Sequence, residues 1–341
     1  MLNRFHFDKI KLLLVSVIFL SLSSCKNEES SPTEPNFEAA FTFSPIDVNK
    51  IQWLEPLGCI NPVGHTIPTD HVYFVFNFNT ANHRYDPNYK LPIYAPASGR
   101  IDWWLMANGR NDDSKIMFKV NSSFSYYLDH IILDSNFVIG STVTAGQKIG
   151  TTARSGSIDL GVVNWNITLP GFVNPVRYEG QTLHTDSPYK YYTEPLKTKL
   201  YSMVKRNSPD KDGKIDYDVK GRLIGNWFHE SVKVEESMGP NGWPKQIAFA
   251  PDPNEPSQMI LSFGGYIGIT GKFKPSVGEP DPAQVSVSSG KIIYQVNYLE
   301  FGYAGLLAVQ MIDDIRIKIE FFPNRTDTNV DFDNKAFIYT R

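Results

Sequence analysis

The stretch from Leu91 to Val163 leaves this chain few choices of fold. It opens on Leu91-Pro-Ile-Tyr-Ala-Pro-Ala-Ser-Gly-Arg-Ile101, an apolar run broken by Pro92 and Pro96 and turned at Ser98-Gly99. A tight Gly turn between two β-rich runs reads as a hairpin or a sheet corner. Lys115–Val120 and Phe124–Leu133 follow, the second carrying Tyr126, Tyr127 and His130. Then come Val143-Thr-Ala-Gly-Gln-Lys-Ile-Gly150 and Gly156-Ser-Ile-Asp-Leu-Gly-Val-Val163. Short strands, Gly-punctuated turns and no long 3.6-residue period specify a β-sheet unit.

In this order the blocks resemble lysostaphin-type zinc metallopeptidases, which cut peptide bridges in cell walls. The resemblance rests on Ile93–Ile101, Tyr126–Ile131, Val143–Gly150 and the strand after Gly156, within Gly64 to Val163. It implies a metal site built from a His-x3-Asp pair, the second His of a His-x-His, and a further His in the middle block. Zinc needs imidazole and carboxylate ligands converging tetrahedrally, with one position open for the water it activates. His65 and Asp70 lie near the first pair, but four residues separate them rather than three. His130 matches the mid-block His, and Asp159-Leu160-Gly161 stands where the family has His-Leu-His. Gly161 therefore replaces a ligand and brings no side chain. His130 and Asp159 match the family's catalytic positions and read as inactive, while His65 and Asp70 are a residual metal pair that matters only if zinc is bound. His71 reads as a hydrogen-bonded or solvated residue at a strand start, with a ligand role as its alternative.

Two further signals frame this unit. Met1–Lys11 carries Arg4, Lys9 and Lys11, and the 11 residues Leu12–Leu22 are almost wholly apolar. That is short of the roughly 20 residues a helix needs to span a bilayer core, and it suits the core of a signal peptide. Leu22-Ser-Ser-Cys25 resembles a bacterial lipobox, which implies cleavage before Cys25 and a lipid on its thiol. A polar tether follows, and its Lys26-Asn-Glu-Glu29 resembles the surface-export signal of some Gram-negative lipoproteins. Cys59, the other of the two cysteines, is then left unpaired and reads as a small buried hydrophobe. The formal net charge of −3, without a dominant basic block, argues against a nucleic-acid partner.

At 341 residues there is room for two domains. Leu196, Leu200 and Val204, at four-residue spacing, predict a short connecting helix within Glu194–Arg206. From Lys214 onward the pattern predicts strands: Leu223–Phe228, Ile247–Phe249, Met259–Phe263, Tyr266–Ile269, Gln284–Val287, Lys291–Leu299, Leu306–Met311, Ile315–Phe322 and Lys335–Tyr339. Gly225-Asn-Trp227 resembles the Gly-x-Trp start of lipocalin-like barrels, which implies that Trp227 closes one end with Arg341 over its indole.

The chain thus reads as mainly β: signal peptide 1–24, tether 25–40, metallopeptidase-like β-sheet domain 41–192, connector 193–213, and a second antiparallel barrel or sandwich 214–341. The function this implies is a lipid-anchored protein of the bacterial cell envelope, at the outer membrane or cell surface. Its partners are the membrane, through the lipid on Cys25, and a wall peptide or envelope protein, bound without catalysis and without a cofactor. The alternative is an active zinc metalloendopeptidase acting on peptidoglycan or peptide cross-links.

Overall fold

The computed structural model describes residues 34–106, 109–298 and 302–341. The signal peptide, Cys25 and most of the tether lie outside the described residues. From Glu34 to Arg341 the chain packs as one unit built from a sheet and a barrel.

The sheet has ten antiparallel strands: β1 (Trp53–Glu55), β2 (His71–Val75), β3 (Pro92–Tyr94), β4 (Gly99–Met106), β5 (Ser114–Lys119), β6 (Phe124–Leu133), β7 (Thr142–Val143), β8 (Lys148–Thr152), β9 (Ser157–Asn164) and β10 (Thr185–Asp186). The main path runs β1-β2-β9-β6-β5-β4-β7, with β10 against β9 and the β3–β8 ribbon against β6. Period-two alternation decides the two faces. Val72, Phe74, Ile116, Phe118, Tyr126, Leu128, Ile158 and Leu160 are fully buried on the core face. There Phe118 and Tyr126 stack with ring centroids 4.8 Å apart.

The other face carries the polar residues. Across β2, β9 and β6 the register aligns His71 with Gly161 and Tyr127, and Tyr73 with Asp159 and Asp129. Two neighbouring rows of side chains therefore meet there from segments far apart in sequence.

The helix expected within Glu194–Arg206 forms only over Leu196–Tyr201. Val204 instead bridges to Leu54, and the Lys205 N–H donates to the Leu54 carbonyl at 2.8 Å.

The C-terminal strands are β11 (Gly225–His229), β12 (Gln246–Pro251), β13 (Met259–Gly264), β14 (Thr270–Lys274), β15 (Lys291–Tyr298), β16 (Gly302–Asp313), β17 (Arg316–Pro323) and β18 (Phe337–Thr340). They close into a barrel rather than a sandwich, β18 pairing back onto β11. Trp227, Phe249, Phe263, Phe273, Tyr294 and Tyr339 fill its interior. Two expected strands are absent. Tyr266–Ile269 belongs to the turn before β14, where Gly265 and Gly268 take positive φ and the buried Ile267 and Ile269 pack on the barrel core. Gln284–Val287 runs into a single 3-10 turn, Val287–Ser289, capped by Ser286.

Trp227 does close one end of the barrel. It is fully buried, its indole N–H donates to the Leu223 carbonyl at 2.8 Å, and the Arg341 guanidinium lies 3.9 Å from its ring centroid. Arg341 also donates to the carbonyls of Val219, Arg222, Leu223 and Ile224. The barrel packs on the sheet through Phe228 and Ala248, which join the sheet's core, and through Arg177, which donates to the Val232 carbonyl at 3.3 Å and Ser237 Oγ at 3.1 Å.

Candidate functional site

The polar face of the sheet forms the floor of a groove of about 910 Å³. Trp103 of β4 and Trp165 wall it from the sheet side, and Met238, Trp243 and Gln246 reach it from the barrel. Trp103 is 43% exposed and Trp165 52%, so both present open aromatic surface. The Thr66 hydroxyl ties the floor loop to the barrel by donating to the Trp243 carbonyl at 3.1 Å.

At the centre, His71 is held from both ring nitrogens. Nδ1 lies 3.1 Å from Asp70 Oδ1, and Nε2 lies 2.9 Å from the Tyr73 hydroxyl and 3.3 Å from Asp159 Oδ2. Asp70 is equally committed: the Tyr127 hydroxyl donates to Oδ1 at 2.8 Å and Thr182 Oγ1 donates to Oδ2 at 2.7 Å. Burial opposes its ionisation, but the hydrogen bonds from His71 and Thr182 and the charge of Lys115 outweigh this and hold its carboxyl well below the usual carboxylate range. Asp159 is buried, which raises its carboxyl against the pull of His71 and His130. Burial also pushes His65 down to about 3, so it is a neutral imidazole; its ring centroid stands 5.2 Å from that of His71.

His130 is placed by a bulge. Ile116 pairs with Leu128 but Ser114 pairs with Ile131, so β6 carries one extra residue there. His130 takes φ 61°, its backbone N–H donates to Asp129 Oδ1 at 2.7 Å, and its Nδ1 lies 3.1 Å from Asp113 Oδ1. Burial works to lower its pKa, but Asp159, Asp113 and Asp129 together raise it to about 10.

The zinc implied by the sequence resemblance does not fit these residues. A Cβ built on Gly161 would stand 2.1 Å from Cζ of Tyr127, so the phenol ring occupies the space from which a third ligand would project. Both oxygens of Asp70 are bonded to side chains of the fold, and Asp70 is joined to His71 rather than to His65. Of the residues singled out from sequence, His130 and Asp159 approach each other, 3.7 Å from Nε2 to Oδ2, and His65 lines the groove beside His71. Tyr127 was named only as part of its strand block and given no role in the site, and Tyr73, Thr182 and Asp113 were not singled out. Only strand register could have found Tyr127, because its role exists through its alignment with Gly161.

No protein-family model matches the chain, and no curated relative does. Among solved structures it is similar to Csd3 of Helicobacter pylori, at 18% identity over 42% of this chain and 35% of that one, with a TM-score of 0.28. It is also similar to a zinc-containing peptidase from Vibrio cholerae (17% identity, 39% of this chain, 38% of that one, TM-score 0.27). A third likeness is to the catalytic domain of lysostaphin from Staphylococcus simulans (18% identity, 36% of this chain, 86% of that domain, TM-score 0.24). The chain spans little more than a third of the length of the first two. Overlaps this partial leave the chemistry of the site to its own residues.

Proposed function

We propose that this chain is a cell-envelope lipoprotein, anchored through Cys25, whose metallopeptidase-like groove binds an extended peptide without cutting it. The observation that carries this is the Tyr127 ring over Gly161. It takes the place of a ligand, and its hydroxyl bonds the carboxylate that a metal would need. Catalysis of peptide hydrolysis by zinc requires three protein ligands, an open position and a base to handle the proton of the attacking water. Here Asp70 and His71 satisfy each other, and the Tyr127 ring fills the space at Gly161, so the family's position does not assemble that geometry. A long groove with aromatic walls and a hydrogen-bonding floor suits recognition of a peptide, whether of the cell wall or of an envelope protein.

The test uses purified protein prepared without chelator. Wall-derived peptides are titrated by calorimetry, and their cleavage is followed with and without added zinc. Saturable binding with no cleavage under either condition supports the proposal, with weaker binding in Trp103→Ala. Metal-dependent cleavage that His71→Gln abolishes would establish the zinc endopeptidase instead.

A further inference from the structure

Beside the His71 network, along the same groove, lies a second polar cluster. Asp113, just before β5, and Asp129 and His130 in the β6 bulge bring two carboxylate oxygens and an imidazole nitrogen within 4.8 Å of one another. Asp129 faces Asp159 directly across the β6–β9 pair. Asp159 is only 3% exposed, and its Oδ1 has no hydrogen-bond partner among the described residues. A buried acceptor left without a partner is costly, so a further donor or cation near Asp159 would stabilise it.

We propose that Asp113, Asp129 and His130 bind one divalent first-row cation, Zn²⁺ or Mn²⁺, with Asp159 backing the imidazole. Two features of the arrangement carry this. His130 Nδ1 lies 3.1 and 3.3 Å from the two Asp113 oxygens. Two ligands each about 2.1 Å from a shared ion stand about 3.0–3.4 Å apart at octahedral to tetrahedral angles, so these atoms already sit on one edge of a coordination shell. The opposite nitrogen, Nε2, is 3.7 Å from Asp159 Oδ2. A metal-bound imidazole characteristically donates its other N–H to a carboxylate, and Asp159 is the buried carboxylate on that side of the ring, its Oδ2 shared with His71.

The mixed nitrogen and oxygen set favours Zn²⁺ or Mn²⁺ over Mg²⁺ and Ca²⁺, which take oxygen ligands. Asp113 and His130 are half-exposed, with side chains 38% and 37% accessible, so water or a carboxylate of a groove ligand would complete the shell. This site is separate from the Gly161 position and does not rest on the peptide-binding proposal.

The experiment is calorimetric titration of the purified, chelator-stripped protein with Zn²⁺ and, in parallel, Mn²⁺ followed by loss of its free-ion electron paramagnetic resonance signal. The expected result is one equivalent of ion, weakened at least about 10–100-fold by Asp113→Asn and by His130→Gln, and unchanged in His65→Gln. Asp113 is half-exposed, so Asp113→Asn should melt at the parent temperature, which separates loss of the ion from loss of the fold. No binding at 100-fold excess of ion, or binding untouched by Asp113→Asn, overturns the site. Binding lost in His65→Gln but kept in Asp113→Asn overturns it too, by placing the ion at the family's position, and undercuts the peptide-binding proposal as well. Unchanged wall-peptide binding in Asp113→Asn leaves that proposal standing whichever way the ion titration falls.

Discussion

Replacing Gly161 by alanine adds one methyl group, and the structure gives the consequence. The new Cβ would stand 2.1 Å from Cζ, 2.2 Å from Cε1 and 2.5 Å from the hydroxyl of Tyr127, where carbon atoms normally rest about 3.5–4.0 Å apart. Tyr127 is fully buried and cannot swing into solvent without abandoning its 2.8 Å hydrogen bond to Asp70. Overpacking of this kind costs about 1–3 kcal/mol, and a hydrogen bond to a charged group contributes about 1.5–3 kcal/mol, so the variant should lose roughly 3 kcal/mol. Tyr127→Ala should itself cost about 3–5 kcal/mol, like other large aromatic truncations. In that background the alanine methyl enters vacated space, and Gly161→Ala should cost under about 0.5 kcal/mol, a coupling of about 2 kcal/mol or more. Urea unfolding followed by tryptophan fluorescence measures all four proteins, read as shifts in midpoint at constant slope. A Gly161→Ala protein as stable as the parent, or one equally destabilised in both backgrounds, would refute the claim that the phenol fills the ligand position. By the same steric argument Gly161→His should create neither a zinc site nor activity.

Three other outcomes follow from the structure and the sequence. Arg341→Ala should lose about 3–5 kcal/mol, because it strips the indole contact of Trp227, leaves several buried carbonyls without their donor and removes the positive charge beside buried Asp218; a melting temperature equal to the parent's would count against the closed barrel end. His65, held neutral by burial with its pKa down to about 3, disfavours folding once the unfolded chain protonates, so its penalty is absent above about pH 6.5 and grows as pH falls toward 3, reaching about 2 kcal/mol at pH 5. His65→Gln should therefore flatten the acid limb of a stability-against-pH curve, and an unchanged limb would show His65 protonates freely. Cys25→Ser should accumulate as an unprocessed precursor that takes up no labelled palmitate, and normal size and membrane fractionation of that variant would remove the lipid anchor.

The order of strands and turns was legible in the sequence because each depends on neighbours a few residues away. Leu91–Ile101 breaks into two strands, although the bend falls at Pro96-Ala97 rather than at Ser98-Gly99, Gly225-Asn-Trp227 begins a barrel strand through local composition alone, and Gly161 lacks a ligand whatever surrounds it. Where local patterns compete, the sequence was less decisive: Tyr266–Ile269 has the apolar content of a strand, yet glycines at positive φ bend it into a turn whose isoleucines are buried by the barrel. The site itself belongs to the tertiary structure. His71, Tyr127 and Asp159 come from three strands, and only the register of β2, β9 and β6 sets Tyr127 over Gly161 and His71 between Asp70 and Asp159. Likewise the bulge at His130 and its pairing to Asp113 depend on how β5 meets β6. A missing side chain can be read from one position, but what fills its space is fixed by contacts between residues dozens of positions apart, which no local pattern encodes.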